Sequence, residues 1–321
     1  MKKQVTILRG GPSSEYEVSL KSGRAVIEKI AEKYNIKDIV IDKNGDWVLK
    51  GIVVKPESIL NNTDVVLNAM HGEYGEDGQV QQILQTHKVP FTGPTTLGAK
   101  LSINKDASKK IYKKHGIKTP EHRLVENIGD PALQAFELFR SMPMPVIIKP
   151  VDLGSSVGLS IARDYKSLLE TLISLYKRYD RLLVEEYIEG REATVGVIEK
   201  FRDKEIYPLL PIEIITPDHI ELFDYDAKYS GEVSEVSPGN FNSDESKMLQ
   251  ELAVQAHEAL GLRHYSRSDF ILHPKRGIYL LETNSLPGLT DESLFPKSLE
   301  PVGSSFEEFL DHVIELALNG K

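Results

Sequence analysis

Three oxygen-bearing side chains, Asp269, Glu282 and Asn284, fall within the stretch 267–293, RSDFILHPKRGIYLLETNSLPGLTDES. Hard oxygen donors without Cys or His suit Mg²⁺, which takes one or two carboxylates and completes its shell with water and substrate phosphates. Two apolar runs, 269–272 and 278–281, flank a turn containing Pro274 and Gly277. Phe, Ile, Tyr and Leu build strands where Pro and Gly interrupt them, so the pattern predicts a β-hairpin carrying the three donors. A Pro287-Gly288 turn follows directly. Backbone N–H groups of such a turn suit an anion or a developing oxyanion. The hairpin alone also reads as a polar strand end. The hairpin and the turn together read as a metal–phosphate centre.

A second group of candidates sits on loops. Residues 150–158, PVDLGSSVG, join two apolar runs, 145–149 and 159–162, that read as antiparallel strands. The GxxxxGK[ST] signature is absent and no helix follows the loop, so this is not a Walker loop. Its glycines and serines can still close over phosphates, and Lys149 at the strand's end is placed to touch them. The strand 182–188 ends in Glu185-Glu186-Tyr187-Ile188, a mix that fits either an adenine edge or a domain hinge. Glu192 follows a Gly190-Arg191 turn, where it meets a ribose or pairs with Arg191. Glu15 opens a helix over 15–30 and either faces a ligand above the sheet or stabilises the helix start. Residues 71–78, HGEYGEDG, hold three glycines and three acids after a strand. That is the loop type on which open α/β sheets bind ligands. The polar stretch 224–232 is expected to be a mobile loop over the site.

The elements that must position these residues follow from periodicity. Strands at 4–8, 36–41, 47–54, 64–69 and 89–92 alternate with helices at 15–30 and 79–86, which implies a first lobe with a parallel sheet. Its opening Arg9-Gly10-Gly11 turn by itself is an ordinary structural turn. A Lys-rich helix over 97–115, stopping at Gly116, carries Lys100, Lys105, Lys109, Lys110, Lys113 and Lys114, most of them expected to be solvated. A helix over 167–179, a meander over 193–198 and 206–214, and helices over 243–260 and 305–318 complete the chain. The expected lobes are 1–94, 95–186 and 187–321.

Composition narrows the function class. A chain of 321 residues with 40% hydrophobic and 27% charged content fits two or three compact lobes of an ordinary globular protein. The net charge of −9 argues against a general nucleic-acid footprint. The absence of cysteine excludes disulfides, thiolate metal sites and cysteine nucleophiles. No run reaches the length of a membrane span and MKKQVTILRGG opens a strand and not a signal peptide, so a cytoplasmic protein is expected.

Taken together, GGPSSEYEVSLKSG, HGEYGEDGQVQ, the Lys105 helix, VIIKP with GSSVG, VEEYIEGRE, DYDAKY, RSDF and LETNSLPGLTDES resemble ATP-grasp enzymes in family order. Within that superfamily they resemble the D-alanine–D-alanine ligase family across nearly the whole chain. The resemblance implies an α/β ATP-grasp fold with α+β lobes and an N-terminal Rossmann-like parallel-sheet domain. It implies ATP-dependent ligation of two D-alanines through a D-alanyl phosphate for peptidoglycan precursor synthesis, two Mg²⁺ (Mn²⁺ substituting), and a homodimer through the N-terminal lobe. By motif, Lys105, Lys149 and Lys228 would contact ATP phosphates. Glu185 with the backbone of Tyr187 and Ile188 would hold the adenine, and Glu192 the ribose. Asp269, Glu282 and Asn284 would bind the metal ions, and Arg267 with the Gly288 N–H would stabilise the oxyanion. Glu15 would take the first D-alanine's ammonium and form a set with Ser155 and Tyr229 that links the lobes. Ser293 and the Leu294 N–H would take the second substrate's carboxylate, with His71 nearby.

Asn104 stands where Asp is common, Arg9 where a hydrophobic residue is usual, and Gly239 where a small Ala is common. The Tyr229 type resembles peptide-forming rather than ester-forming relatives. The alternatives are a related ligase with D-lactate or D-serine as second substrate and a non-catalytic ATP-binding regulator. A dinucleotide-binding oxidoreductase fails for want of GxGxxG.

Overall fold

The structure, a computed structural model, describes residues 2–154, 157–217 and 233–320. Three sheets carry the architecture. The first runs in the order β4-β3-β2-β1-β5, built from β1 (Gln4–Gly10), β2 (Asn35–Ile41), β3 (Trp47–Leu49), β4 (Ile52–Val54) and β5 (Val65–Asn68). Strand β1 is central and parallel to both β2 and β5. Its Val5, Ile7 and Leu8 are all buried, the near-continuous apolar run expected of a strand covered on both faces. The expected parallel sheet thus holds for β2, β1 and β5. Residues 47–54 extend it as an antiparallel hairpin. The strand expected over 89–92 is reduced to one parallel bridge, Val66 to Phe91.

Helix α1 (Tyr16–Ile30) and a short α2 (Pro56–Leu60) serve this sheet, and α3 (Gln79–Thr86) matches the expected helix residue for residue. The single Lys-rich helix expected over 97–115 is two helices, α4 (Thr96–Ile103) and α5 (Lys105–Lys114). Asn104 has an extended backbone between them, and its side chain accepts the Ala107 N–H at 2.9 Å. An Asn whose side chain serves the backbone favours a cap over a helix interior, which is why the run breaks there.

The second sheet is antiparallel, β6-β9-β7-β8, from β6 (His122–Glu126), β7 (Val146–Pro150), β8 (Ser160–Ala162) and β9 (Arg181–Glu186). Helices α6 (Pro131–Ser141) and α7 (Tyr165–Leu175) cover one face. Helix α6 was not anticipated, although Asp130 caps it and Pro131 sits in its first turn, a sequence-level start signal. Helix α7 starts before and ends before the expected 167–179. Its start is set by a reciprocal Asp164–Ser167 capping box.

The third sheet orders β13-β12-β10-β14-β15, with β11 beside β10. Its strands are β10 (Arg191–Glu199), β11 (Ile206–Pro208), β12 (Ile212–Ile215), β13 (Ser234–Val236), β14 (Tyr265–His273) and β15 (Gly277–Asn284). Helix α8 (Ser243–Ala259) packs on it, and so does α5 through Tyr112. A one-turn α9 (Leu294–Lys297) leads to α10 (Phe306–Asn319), which returns to pack on α1 and β5 of the first sheet. Tyr265, Phe295 and Phe309 meet at ring separations of 5.0 to 5.5 Å, so one aromatic cluster joins the C-terminal elements to the N-terminal core.

Candidate active site

Register on the predicted hairpin sets the first wall of the site. Arg267 pairs with Asn284, Ser268 with Thr283 and Asp269 with Glu282. Side chains alternate across a strand, so Arg267, Asp269, Glu282 and Asn284 share one face while Ser268 and Thr283 point to the other, bonded at 3.0 Å. Immediately beyond, the register shifts by one residue, pairing Phe270 with Leu280. That bulge at Leu281 lets the polar face end and the apolar core resume within one residue. The Arg267 guanidinium grips Asp269 with two bonds of 3.0 Å, Nε to Oδ1 and the terminal NH₂ nitrogen to Oδ2. Asn284 donates to Asp269 Oδ2 at 3.0 Å and Thr194 from β10 donates to Oδ1 at 2.6 Å. Burial would lower the Arg267 pKa, but the Asp269 carboxylate outweighs it and holds the guanidinium firmly charged.

The opposite wall is assembled from distant parts of the chain. Lys105, at the start of α5, donates to the Leu153 carbonyl and lies 3.4 Å from Glu282 Oε2. Its backbone N–H bonds the Val151 carbonyl at 3.0 Å, which ties α5 to the loop after β7. Lys149 on β7 and Lys109 on α5 both pair with the Glu185 carboxylate of β9. Burial would raise the Glu185 pKa, but the two ammoniums overcome it and bring it down to about 2. Of the six lysines in the basic run, Lys100, Lys110, Lys113 and Lys114 are exposed, in line with the expectation that most are solvated, while Lys105 and Lys109 are buried. Lys109 is the residue that sequence reasoning missed. The available signal was its position four residues after Lys105 and three before Tyr112, which places all three on the packed face of α5.

The N-terminal sheet supplies the third wall. The Glu15 carboxylate packs so closely on the loop after β7 that a Cβ on Gly154 would come within 2.8 Å of its Oε2. His71 is buried, with Nε2 2.8 Å from Ser22 Oγ and Nδ1 3.2 Å from the Leu286 carbonyl. Burial would lower its pKa, but Glu76, 3.7 Å away, reverses the direction and raises it. After the hairpin, a Cβ on Gly288 would lie 2.7 Å from Ser293 Oγ, so a larger residue would displace that hydroxyl. Ser293 Oγ in turn accepts the Thr290 N–H at 3.1 Å and shapes the 288–293 turn.

These walls enclose a cavity of about 800 Å³, large enough for a nucleotide and a small substrate together. Glu15, His71, Lys105, Lys149, Glu185, Tyr187, Ile188, Glu192, Arg267, Asp269, Glu282, Asn284, Gly288, Ser293 and Leu294 all line it. Ser155, Lys228 and Tyr229, and with them the expected loop at 224–232, lie outside the described residues. Among the described residues no group of three or more His, Cys, Asp or Glu is placed to hold a metal ion by itself. The donor set that is present, two carboxylates and one amide oxygen on one face, is the open type that Mg²⁺ shares with phosphates and water.

Comparison with known proteins gives the family of the chain. The D-ala D-ala ligase C-terminus profile matches residues 111–315, and the D-ala D-ala ligase N-terminus profile matches 4–59 and 53–94. The chain belongs to the D-alanine–D-alanine ligase family. A D-alanine–D-alanine ligase of Aquifex aeolicus is 36% identical over 314 residues, spanning 97% of this chain and 99% of the relative. Among solved structures, the VanG D-Ala:D-Ser ligase from Enterococcus faecalis superposes with a TM-score of 0.85 at 29% identity, covering 99% of this chain and all of the other. The D-alanyl-alanine synthetase A from Vibrio cholerae gives 0.85 at 26%, covering 99% and 98%. The ATP-grasp fold of this family is thus the fold of this chain.

Proposed function

We propose that the protein joins two D-alanines into D-Ala-D-Ala with ATP, through a D-alanyl phosphate. The observation that carries this is the hairpin register, which turns Arg267, Asp269, Glu282 and Asn284 into one cavity wall facing Lys105 and Lys149. A carboxylate acylates poorly, so an oxygen of the first D-alanine attacks the γ-phosphorus of ATP and the bond to ADP breaks. Two anions must approach each other, and Lys105, Lys149 and Arg267 lower that repulsion in a dry cavity. Asp269, Glu282 and Asn284 would hold Mg²⁺, which when bound would supply further charge neutralisation for the phosphates. Glu15 anchors the first ammonium. The second D-alanine, its carboxylate on Ser293 and the Leu294 N–H and close to His71, attacks the acyl carbon as a free amine. Arg267 and the Gly288 N–H take the oxyanion, phosphate leaves, and the amine's proton is lost. The adenine lies against the Tyr187 and Ile188 backbone beside Glu185, and the ribose on Glu192.

The three sheets support lobes at 1–94, 95–186 and 187–321. Among the described residues no helix is long and apolar enough to cross a membrane. We take the protein to act in the cytoplasm as a homodimer, without nucleic acid or membrane partners, on the route to peptidoglycan precursors. The test is phosphate release from Mg-ATP with D-alanine, L-alanine or no amino acid, with the dipeptide identified by mass. One D-Ala-D-Ala per phosphate, only with D-alanine, is expected; ATP binding without D-alanine-dependent release would refute the ligase reading.

A further inference from the structure

Lys109 stands one layer behind the cavity. It is fully buried and, unlike Lys105 and Lys149, forms no part of the cavity wall. Its Nζ lies 2.9 Å from Glu185 Oε2 and donates to Thr119 Oγ1 at 2.8 Å, while Glu185 Oε1 takes Lys149. One carboxylate therefore serves two ammoniums, one sealed in the core and one at the wall. Two ammoniums on one carboxylate look redundant, because one counter-charge suffices and each buried ion is costly to desolvate. The arrangement makes sense once Lys149 is required elsewhere. When triphosphate enters, Lys149 must leave Glu185 to meet a phosphate oxygen. A buried carboxylate without a partner would then face an incoming polyanion, and like charges at close range oppose binding.

We propose that Lys109 is a positioning residue that keeps Glu185 compensated, so that Lys149 can exchange the carboxylate for a phosphate oxygen when ATP binds. The inference rests on the ATP-dependent reading above and deepens it: nucleotide affinity depends on a lysine that never touches the nucleotide. Burial pushes the Lys109 pKa down to about 8 against the pull of Glu185, so the charge that compensates the carboxylate is present below that pH. The Lys149 pKa runs the other way, raised because Glu185 outweighs its burial.

Three variants test this, with KM for Mg-ATP and kcat measured separately and thermal unfolding as the control. Lys109→Met should raise KM for Mg-ATP at least tenfold and change kcat less. Lys109→Arg, which keeps the charge, should stay within about threefold of the parent. With Glu185→Gln as the reference, adding Lys109→Met in a double variant should cost no further ATP affinity, a recovery relative to its effect in the parent, because the carboxylate that captures Lys149 is then neutral. A merely structural lysine predicts no such recovery. Unchanged KM in Lys109→Met, an equal loss in Lys109→Arg, or no recovery in the double variant would each overturn the proposal. Should Lys109→Met fail to fold, the double variant compared with Glu185→Gln decides it: equal KM for Mg-ATP is expected, and a further tenfold rise would overturn the proposal. Parent enzyme lacking D-alanine-dependent phosphate release would refute the ligase reading itself, whereas active parent with unaffected variants would refute only the role of Lys109.

Discussion

The two facing walls of the cavity are built on different principles. On the hairpin wall, four functional groups come from two adjacent strands, and cross-strand register alone aligns them. On the lysine wall, Lys105, Lys149 and Glu185 come from one helix and two strands that meet only through tertiary packing. The hairpin wall fixes each side chain through short-range bonds, with Asp269 taking donors from Arg267, Asn284 and Thr194. The lysine wall is held by buried ion pairs that share one carboxylate. Such pairs contribute little net stability but can change partners when a new charge arrives. The contrast suits their tasks: the hairpin must hold a transition state still, whereas the lysines must release one anion to receive another.

Breaking the hairpin wall should have the largest effect. Arg267→Ala removes the oxyanion donor and the bidentate partner of Asp269, and kcat should fall by about 10²- to 10³-fold. Steady-state assays with both substrates saturating measure it. On the lysine wall the effect should fall on binding instead. Lys149→Met should raise KM for Mg-ATP by roughly tenfold, the order of one charge-assisted contact, while kcat falls less. A variant that lowered kcat as far as Arg267→Ala does, with KM unchanged, would erase the distinction between the walls.

The hairpin wall was legible in the sequence because strand periodicity and turn residues are local. Asp269, Glu282 and Asn284 could be placed on one hairpin before any packing was known, and the cross-strand register then puts them on one face. The lysine wall was only half legible. Lys149 stood out beside a glycine-rich loop and Lys105 only through the family resemblance, but Lys109 looked like any other lysine in a basic run. Its burial is decided by α5 packing on the third sheet through Tyr112, which no local pattern encodes. The break at Asn104 was hidden for a related reason: an Asn within an apparently helical run becomes a cap only when the chain must change direction there. Helix α6 is different, since Asp130-Pro131 carried a start signal that the polar stretch around it obscured.

Acid should sharpen the comparison. Glu185 has a folded-state pKa of about 2, below the ordinary carboxylate value near 4.3. A depressed carboxylate adds stability above its unfolded pKa and loses it as pH falls through the folded one. The Glu185 contribution should therefore be intact at pH 5 and decline between about 4.3 and 2. Urea unfolding of the parent and of Glu185→Gln between pH 5 and 3 measures this. The parent should lose more stability than the variant over that interval, and parallel curves would contradict the assignment.

The smallest effect is expected at Asn104, whose Nδ2 donates to Asp152 Oδ1 at 2.6 Å; Asp152 in turn pairs with Arg181. Asn104→Asp keeps the cap on α5 but sets two carboxylates against each other beside the loop that Lys105 anchors. Thermal unfolding should shift down slightly and KM for Mg-ATP should rise by about threefold at most, within the range of one exposed charge pair.

The central claim is that the D-alanine carboxylate itself attacks ATP. It is tested most directly with D-alanine labelled with ¹⁸O in both carboxyl oxygens, turned over with unlabelled Mg-ATP, followed by mass analysis of the phosphate. An acyl phosphate requires one ¹⁸O in each phosphate released with a dipeptide. Phosphate carrying no label, in a reaction that still makes D-Ala-D-Ala, would contradict the claim.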